Sequence, residues 1–279
     1  MPTLARYAAF STDPSGGNPA GVWVGDAHPE PARMQALAAE IGYSETAFVA
    51  PSVGMERAVR YFSPEVEVPF CGHATVAAGV ALGRTEGAGT YRFLTAAGPV
   101  PVEVGADARG EWRATLTSVE PEHRPPLASD VDEALAALGW ARGDLDASIP
   151  PAYAYAGAWH LVLAVRDAAR LARLDYDFDR LGAFMREAGV VTAQLVWRER
   201  PDRFHARNPF PVGGVVEDPA TGAAAAALGG YLRAAGLLAA PASFDVLQGE
   251  AMGRPSRLAV HVPAAGGIRV TGTAAEIAS

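Results

Sequence analysis

The sequence predicts an α+β protein of two similar halves, each a strand-rich layer wrapped around one helix of small residues. Three observations carry this. Alternating apolar runs such as "LARYAAF" and "SRLAVHV" recur along the chain, with short helical patterns between them. Setting Pro69 over Pro219, an offset of 150, lays "PFCGHATVAAGVAL" on "PATGAAAAALGGYL", so that Gly72 meets Gly222, Gly79 meets Gly229 and Leu82 meets Leu232. Alanines coincide easily in such helices; the proline and the glycines carry the comparison. Finally, "VEPEHRPPLASD", residues 119–130, is proline-rich, charged and aperiodic, and reads as a linker. The expected domains are therefore 1–122 and 123–279, with the last strand, "GIRVTGT", able to cross back to the first.

Taken in order, the chain opens with a strand, turns through "DPSGGNPAG" and resumes as "VWVG". Residues Glu30 to Ile41 read as a helix: Pro31 suits the first turn, Met34, Leu37, Ala38 and Ile41 share a face, and Gly42 ends it. "SETAFVA" and "RAVRYFSP" read as strands, and "GHATVAAGVALG" as a helix from Gly72 to about Gly83. Strands follow at "TYRFLT", "VPVEV" and "WRATLTS". After the linker a helix opens with Ser129 as expected cap and Asp132 three residues on. The second half supplies strands "HLVLAV", "AQLVWRE" and "FHARNPFP", a helix around "DRLGAFMREAG", the helix of "ATGAAAAALGGYLRAAG" and the closing strands. A helix of alanine and glycine is narrow, which suits close wrapping by strands.

Composition narrows the function. The net charge is −8 and no basic cluster appears, so nucleic acid is not an expected partner. No apolar run reaches the roughly 18 residues of a membrane helix, and the N-terminus lacks the features of a signal peptide. A single cysteine permits no internal disulfide, and the expected compartment is the cytoplasm. All 23 basic residues are arginine. The absence of lysine excludes a Schiff-base lysine and the phosphate-binding lysine of a P-loop. The six histidines show no HExxH or paired spacing, so no metal site is expected. There is neither a GxGxxG fingerprint nor a G-x-S-x-G elbow.

The candidate chemistry gathers at two helix starts. Each start presents unpaired N–H groups and a positive dipole end, and Gly72 and Gly222 would let a carboxylate approach the backbone. Alternatively, these glycines serve only tight packing. Cys71, His73 and Asp218 crowd the same starts. Residues two apart at a helix start are expected to diverge, which argues against a Cys71–His73 proton-transfer pair. A free cysteine is also commonly a buried packing residue. Asp218 reads equally as a cap for the helix after Pro219. Glu45 stands in the otherwise uncharged run Tyr43 to Val49, where a carboxyl tends to have the raised pKa useful to a general acid or base. An edge-strand glutamate in water is the alternative.

"GGNPAGV", "YSETAFV", "RYFSPEVEVPFCGHATVAAGVAL" and "EDPATGAAAAALGGYL", in this order along the full chain, closely resemble the PhzF family of phenazine-biosynthesis-like isomerases, relatives of diaminopimelate epimerase. The resemblance implies the diaminopimelate epimerase-like fold, a site in the cleft between two domains, a homodimer and no cofactor. It implies that Glu45 is the acid/base residue, that His73 and Asp218 line its pocket, and that Gly72–His73, Gly222–Ala223 and Asn18 receive the substrate carboxylate. The implied substrate is a small carboxylate like trans-2,3-dihydro-3-hydroxyanthranilate. Ala223 replaces a serine frequent in relatives, and Ala74 a proline. The related epimerases use one thiol from each half; here Cys71 aligns with Thr221, which excludes a two-thiol racemase. Two rivals remain: a cysteine hydrolase or transferase using Cys71, and a non-catalytic small-acid-binding protein.

Overall fold

The alternating runs of the first half close into a ring in the computed structural model, which describes residues 2–278. The chain divides into two units, one of residues 1–117 with 271–279 and the other of 118–270. In the first, strands β1 (Thr3–Ala9) and β2 (Asn18–Val24) form an antiparallel pair. Helix α1 (Pro31–Ile41) carries the chain to β3 (Glu45–Pro51), which runs parallel to β2 and antiparallel to β4 (Glu56–Phe62). Pro31 occupies the first turn, where its missing N–H costs nothing, and Gly42 ends the helix at φ 70°. Met34, Leu37 and Ala38 of α1 bury against Trp23, Phe48 and Phe62.

A two-residue strand β5 (Glu67–Val68) folds back on β4 and leads into α2 (Gly72–Glu86). Strand β6 (Gly89–Thr95) lies parallel to β4, and β7 (Gly98–Ala106) and β8 (Trp112–Thr117) follow as a meander. Every α2 residue from His73 to Gly83 is buried. Its glycines explain how strands fit so closely: a Cβ on Gly79 would stand 2.8 Å from the Ala114 Cβ, and one on Gly83 would overlap the Trp112 ring. The helix runs a turn past the expected end at Gly83, to the cap at Gly87.

The second unit repeats the path. Strand β9 (Glu122–Arg124) pairs with β10 (Ala152–Tyr155), and β10 with β11 (Trp159–Ala164), all antiparallel. Between β9 and β10 lies α3 (Ala128–Leu138); α4 (Ala168–Ala172) and α5 (Phe178–Ala188) then lead to β12 (Thr192–Arg200), parallel to β11. Strand β13 (Arg203–Phe210), the short β14 (Val215–Asp218), helix α6 (Gly222–Ala234), β15 (Ala242–Gln248) and β16 (Ser256–Val262) follow. The ladder β10-β11-β12-β13-β15-β16 has the same parallel and antiparallel steps as β1-β2-β3-β4-β6-β7. Helices α3 and α5 pack Val131, Leu135 and Leu138 with Leu181, Phe184 and Met185 into a separate core layer. Strand β17 (Arg269–Ile277) pairs with β8 and β1, closing an eight-strand ring in the first unit: β1-β2-β3-β4-β6-β7-β8-β17.

Two expectations need correction. The stretch 119–130 is not a featureless linker: it holds β9 and the start of α3. Ser129 is not the cap of α3, which begins at Ala128 behind Leu127. Pro125 and Pro126 favour extended backbone up to Leu127, and the helix starts where that constraint ends. No helix among the described residues is long and apolar enough to cross a membrane.

Candidate functional site

Glu45 is the first residue of β3, and β3 has partners on both sides, so the reading of Glu45 as an edge-strand residue does not hold. The next five residues, Thr46 to Ala50, are buried. Glu45 itself opens at the strand end, with its side chain 22% exposed. This gives a carboxylate on a residue paired with Ala20 of β2, one residue before the ladder to β4 begins at Thr46, and reachable from outside.

Helix α2 delivers the other groups. His73 Nε2 lies 3.5 Å from Glu45 Oε2 and 3.4 Å from Ser44 Oγ. Cys71 Sγ is 3.3 Å from His73 Nδ1. The expected divergence of these two side chains is therefore wrong. Spacing rules for a helix face apply to helical residues, and Cys71 is the N-cap, extended at φ −145° and ψ 118°. That turn swings the thiol back over the ring. Glu45, Cys71 and His73 each offer a donor atom, all within 4.8 Å of one another.

A buried relay fixes the helix start. The Thr75 hydroxyl donates to the Cys71 carbonyl at 2.7 Å, so it accepts from the Tyr61 hydroxyl at 2.6 Å. Tyr61 and Thr75 have no exposed surface, and burial pushes the Tyr61 phenol upward. The α2 start has neither an acidic residue in its first turn nor a side-chain cap from Cys71. A Cβ placed on Gly72 would meet nothing within 4 Å. Packing thus explains Gly79 and Gly83, not Gly72. Asn18, also in the first unit, is buried at the start of β2 opposite Ala9. The preceding Gly17 has φ 64°, and a Cβ there would reach within 2.5 Å of the Ala9 carbonyl oxygen, which accounts for the glycine before this asparagine.

In the second unit Asp218 ends β14 and Gly222 begins α6. Asp218 is not the helix cap; Thr221 holds that position. The Thr221 hydroxyl donates to Asp218 Oδ2 at 2.6 Å rather than accepting from the helix. Gln248 Nε2 donates to the Asp218 carbonyl at 2.7 Å and to Thr221 Oγ1 at 3.0 Å. Gly249 follows at φ 78°, where a Cβ would overlap the backbone oxygens of Arg254 and Pro219. Asp218, Thr221, Gly222 and Ala223 are thus consecutive parts of one braced turn. Its preceding residue, Glu217, is buried against Arg207, with Arg207 Nε 3.0 Å from Oε1 and Nη2 2.5 Å from Oε2.

The repeated ladders locate the second unit's counterpart of Glu45. Arg60 pairs with Phe48 as Arg207 pairs with Leu195, so Glu45 corresponds to Thr192. Thr192 is buried; its hydroxyl donates to Asn208 Oδ1 at 2.9 Å and accepts from His160 Nδ1 at 2.8 Å. Burial drives the His160 pKa down to about 3, so this imidazole is neutral. Cys71 and His73 correspond to Thr221 and Ala223. One unit therefore carries carboxylate, thiol and imidazole where the other carries two hydroxyls and a methyl. Sequence reasoning missed Ser44, Gln248 and the Tyr61–Thr75 pair. Ser44 adjoins Glu45 in "YSETAFV", which was a usable signal; "VLQGE" offers none for Gln248.

The family model for phenazine biosynthesis-like proteins matches residues 7–279. A Deinococcus radiodurans protein named an uncharacterized isomerase is 37% identical over 95% of this chain and 88% of its own. Bacillus subtilis YfhB, named likewise, is 31% identical over 97% of this chain and 95% of its own. Among solved structures, a Bacillus anthracis phenazine biosynthesis protein of the PhzF family superposes with TM-score 0.88 at 25% identity, covering 100% of this chain and 98% of that one. A hydroxyproline epimerase from Agrobacterium vitis has the same fold at 13% identity, TM-score 0.66, over 98% of this chain and 90% of that one. The chain belongs to the PhzF family of phenazine biosynthesis-like proteins.

Proposed function

We propose that this protein is a cofactor-independent isomerase that moves a proton on a small carboxylate, with Glu45 as the single acid/base. The observation that carries the reading is the Glu45 carboxylate 3.5 Å from the His73 imidazole, at a helix start without acidic residues, while the matching position of the other unit is a threonine. The isomerase names of the Deinococcus and Bacillus relatives support the reaction class.

Glu45 removes a proton from a carbon beside an unsaturated or carbonyl group and returns it elsewhere on the same face. The carboxylate that accepts the proton becomes the acid that gives it back, so no oxidant or second substrate is needed. His73 holds the Glu45 carboxylate and bonds a polar substituent of the substrate. The N–H groups of the α2 start receive the substrate carboxylate, and the open space at Gly72 supports that approach. Asp218, Asn18, Gly222 and Ala223 enter on the resemblance, Asp218 to orient the substrate and the others to hold its carboxylate. The substrate class is that of trans-2,3-dihydro-3-hydroxyanthranilate, and the working form is a homodimer.

A second reading rests on the 3.3 Å contact between Cys71 Sγ and His73 Nδ1, the arrangement of a thiol nucleophile and its base. Proton NMR in deuterated water with trans-2,3-dihydro-3-hydroxyanthranilate separates the two. The proton-transfer reading expects deuterium uptake or isomerisation, with Glu45→Gln losing more than Cys71→Ser. The thiol reading expects the reverse order, with inactivation by iodoacetamide. A protein that holds the acid without exchanging any proton would be a binding protein on this fold.

A further inference from the structure

We propose that Gln248 is a positioning residue: it sets the direction of a hydrogen-bond chain, Gln248 to Thr221 to Asp218, that holds the Asp218 carboxylate in place as an acceptor. The chain stands on geometry; its bearing on turnover rests on the reading of Asp218 as a substrate-orienting group above. Gln248 is 1% exposed, and its backbone pairs with Ala206 of β13 and Ser256 of β16. Its side-chain amide fits the turn in one orientation only. The Asp218 carbonyl can only accept and the Thr221 N–H can only donate, so Nε2 faces the first at 2.7 Å and Oε1 the second at 3.3 Å. Nε2 also lies 3.0 Å from Thr221 Oγ1. An amide nitrogen has no acceptor capacity, so that oxygen receives a hydrogen from Gln248 and turns its own toward Asp218 Oδ2. The 2.6 Å between these two oxygens is the length of a hydroxyl donating to an ionised carboxylate, about 2.5–2.7 Å.

The first unit shows what a purely structural prop looks like. Arg57 pairs with Phe93 as Phe204 pairs with Val246, so Thr95 is the counterpart of Gln248. Its hydroxyl donates to the Gly98 carbonyl, 2.7 Å away in its own hairpin. The α2 start is held by Thr75, which bonds the backbone carbonyl of the cap residue Cys71. The offset of 150 puts Ala225 at the position of Thr75, so in the second unit the prop comes from the sheet. A prop for the helix alone would need only the backbone groups of Asp218 and Thr221. Gln248 adds a bond to the Thr221 hydroxyl and through it reaches a side-chain carboxylate. With one lone pair engaged and its hydrogen committed, Thr221 is placed to hold Asp218 and not to carry a proton. It does so at the position where the first unit has the Cys71 thiol.

The test has two readouts. The first needs no substrate: it is the pair of Gln248 side-chain amide protons in the proton–nitrogen-15 correlation spectrum of the labelled protein. Thr221→Val removes the oxygen that one of them points at, so that proton should move upfield while its twin, bonded to the Asp218 carbonyl, stays. Thr221→Ser should restore it. The second readout is steady-state turnover of trans-2,3-dihydro-3-hydroxyanthranilate. Gln248→Met and Thr221→Val should each lower kcat by up to about 10²-fold, more than they raise KM, because a misoriented substrate still binds. As links of one chain they should not add, and the double variant should be no slower than the slower single. Thr221→Ser should recover most of what Thr221→Val loses. Circular dichroism establishes which variants fold; if Gln248→Met does not, Thr221→Val against Thr221→Ser carries the comparison. A Gln248 pair unmoved by Thr221→Val overturns the chain. Given an active wild type, full kcat in the variants, or singles that multiply in the double, reduces Gln248 to a brace and overturns the positioning role. If the amide proton moves as described but the wild type leaves the acid unchanged, the chain stands and the isomerase reading for that substrate falls.

Discussion

Replacing Thr75 by valine keeps the branched shape and removes one hydroxyl from the relay that fixes the start of α2. Tyr61 then loses the acceptor that lies 2.6 Å away, in a place with no exposed surface. Leaving a buried donor unpaired costs about 1–3 kcal/mol. The lost bond from Thr75 to the Cys71 carbonyl adds about 0.5–1 kcal/mol, reduced because the Thr75 amide also donates to that carbonyl at 3.0 Å. Thr75→Val should therefore cost about 1.5–4 kcal/mol in total. Tyr61→Phe removes one hydrogen bond and strands nothing, since Thr75 keeps its bond to Cys71; about 1 kcal/mol is expected. In the double variant no phenol remains to be stranded, so adding Tyr61→Phe to Thr75→Val should restore stability by a measurable amount. The singles should overshoot the double by about 1–2 kcal/mol. Urea unfolding of the four proteins at matched m values measures the cycle. Additive singles, or a Thr75→Val within about 0.5 kcal/mol of wild type, would refute the relay.

Three other outcomes follow from the same structure. Gly79→Ala gains helix propensity of about 1 kcal/mol but pushes a methyl to 2.8 Å from the Ala114 Cβ, so overpacking of about 1–3 kcal/mol should leave it less stable; Gly72→Ala, in open space, should not be, and equal melting temperatures for the two would contradict the packing assignment. His160 stays neutral in the folded protein down to about pH 3, whereas the unfolded chain protonates it below about 6.5. Its contribution is thus fully present above that upper value and is lost as pH falls toward 3, by at most about 1.4 kcal/mol per unit; His160→Gln should show a shallower acid slope in urea titrations, and an unchanged slope would argue against a buried neutral ring. Arg207→Met strands the buried Glu217 carboxylate beside the Asp218 turn and should cost about 3–5 kcal/mol by denaturation, with little loss pointing to relaxation of that turn.

Legibility in the sequence followed the strength of local signals. Pro31 and Gly42 bracket α1 because each solves a helix-end problem that its neighbours cannot. The spacing shared by Gly72, Gly79, Gly222 and Gly229 exposed the internal repeat, since both helices must be narrow to sit inside tightly wrapped strands. Strand β10 is not legible: "AYAY" is short, and one of its two strand partners, β9, lies far back in the chain on the other side of α3. The same holds for β9, whose charged residues gain strand geometry only by pairing with β10. At the candidate site Glu45 stood out as a charge in an apolar run. Its distance from His73 did not, because the sequence between them folds through β4 and β5 before α2 returns. Helical spacing does not foretell the Cys71–His73 contact, because Cys71 is the extended N-cap and not a helical residue.

The most direct test of the central claim is the rate of deuterium incorporation from solvent into trans-2,3-dihydro-3-hydroxyanthranilate, or of its isomerisation, with the wild type and Glu45→Gln compared by proton NMR. A positioned general base contributes about 10²–10⁴-fold. The account predicts a loss of that size in a Glu45→Gln protein that is otherwise folded and still binds the acid. An active wild type matched by an equally active Glu45→Gln would contradict it.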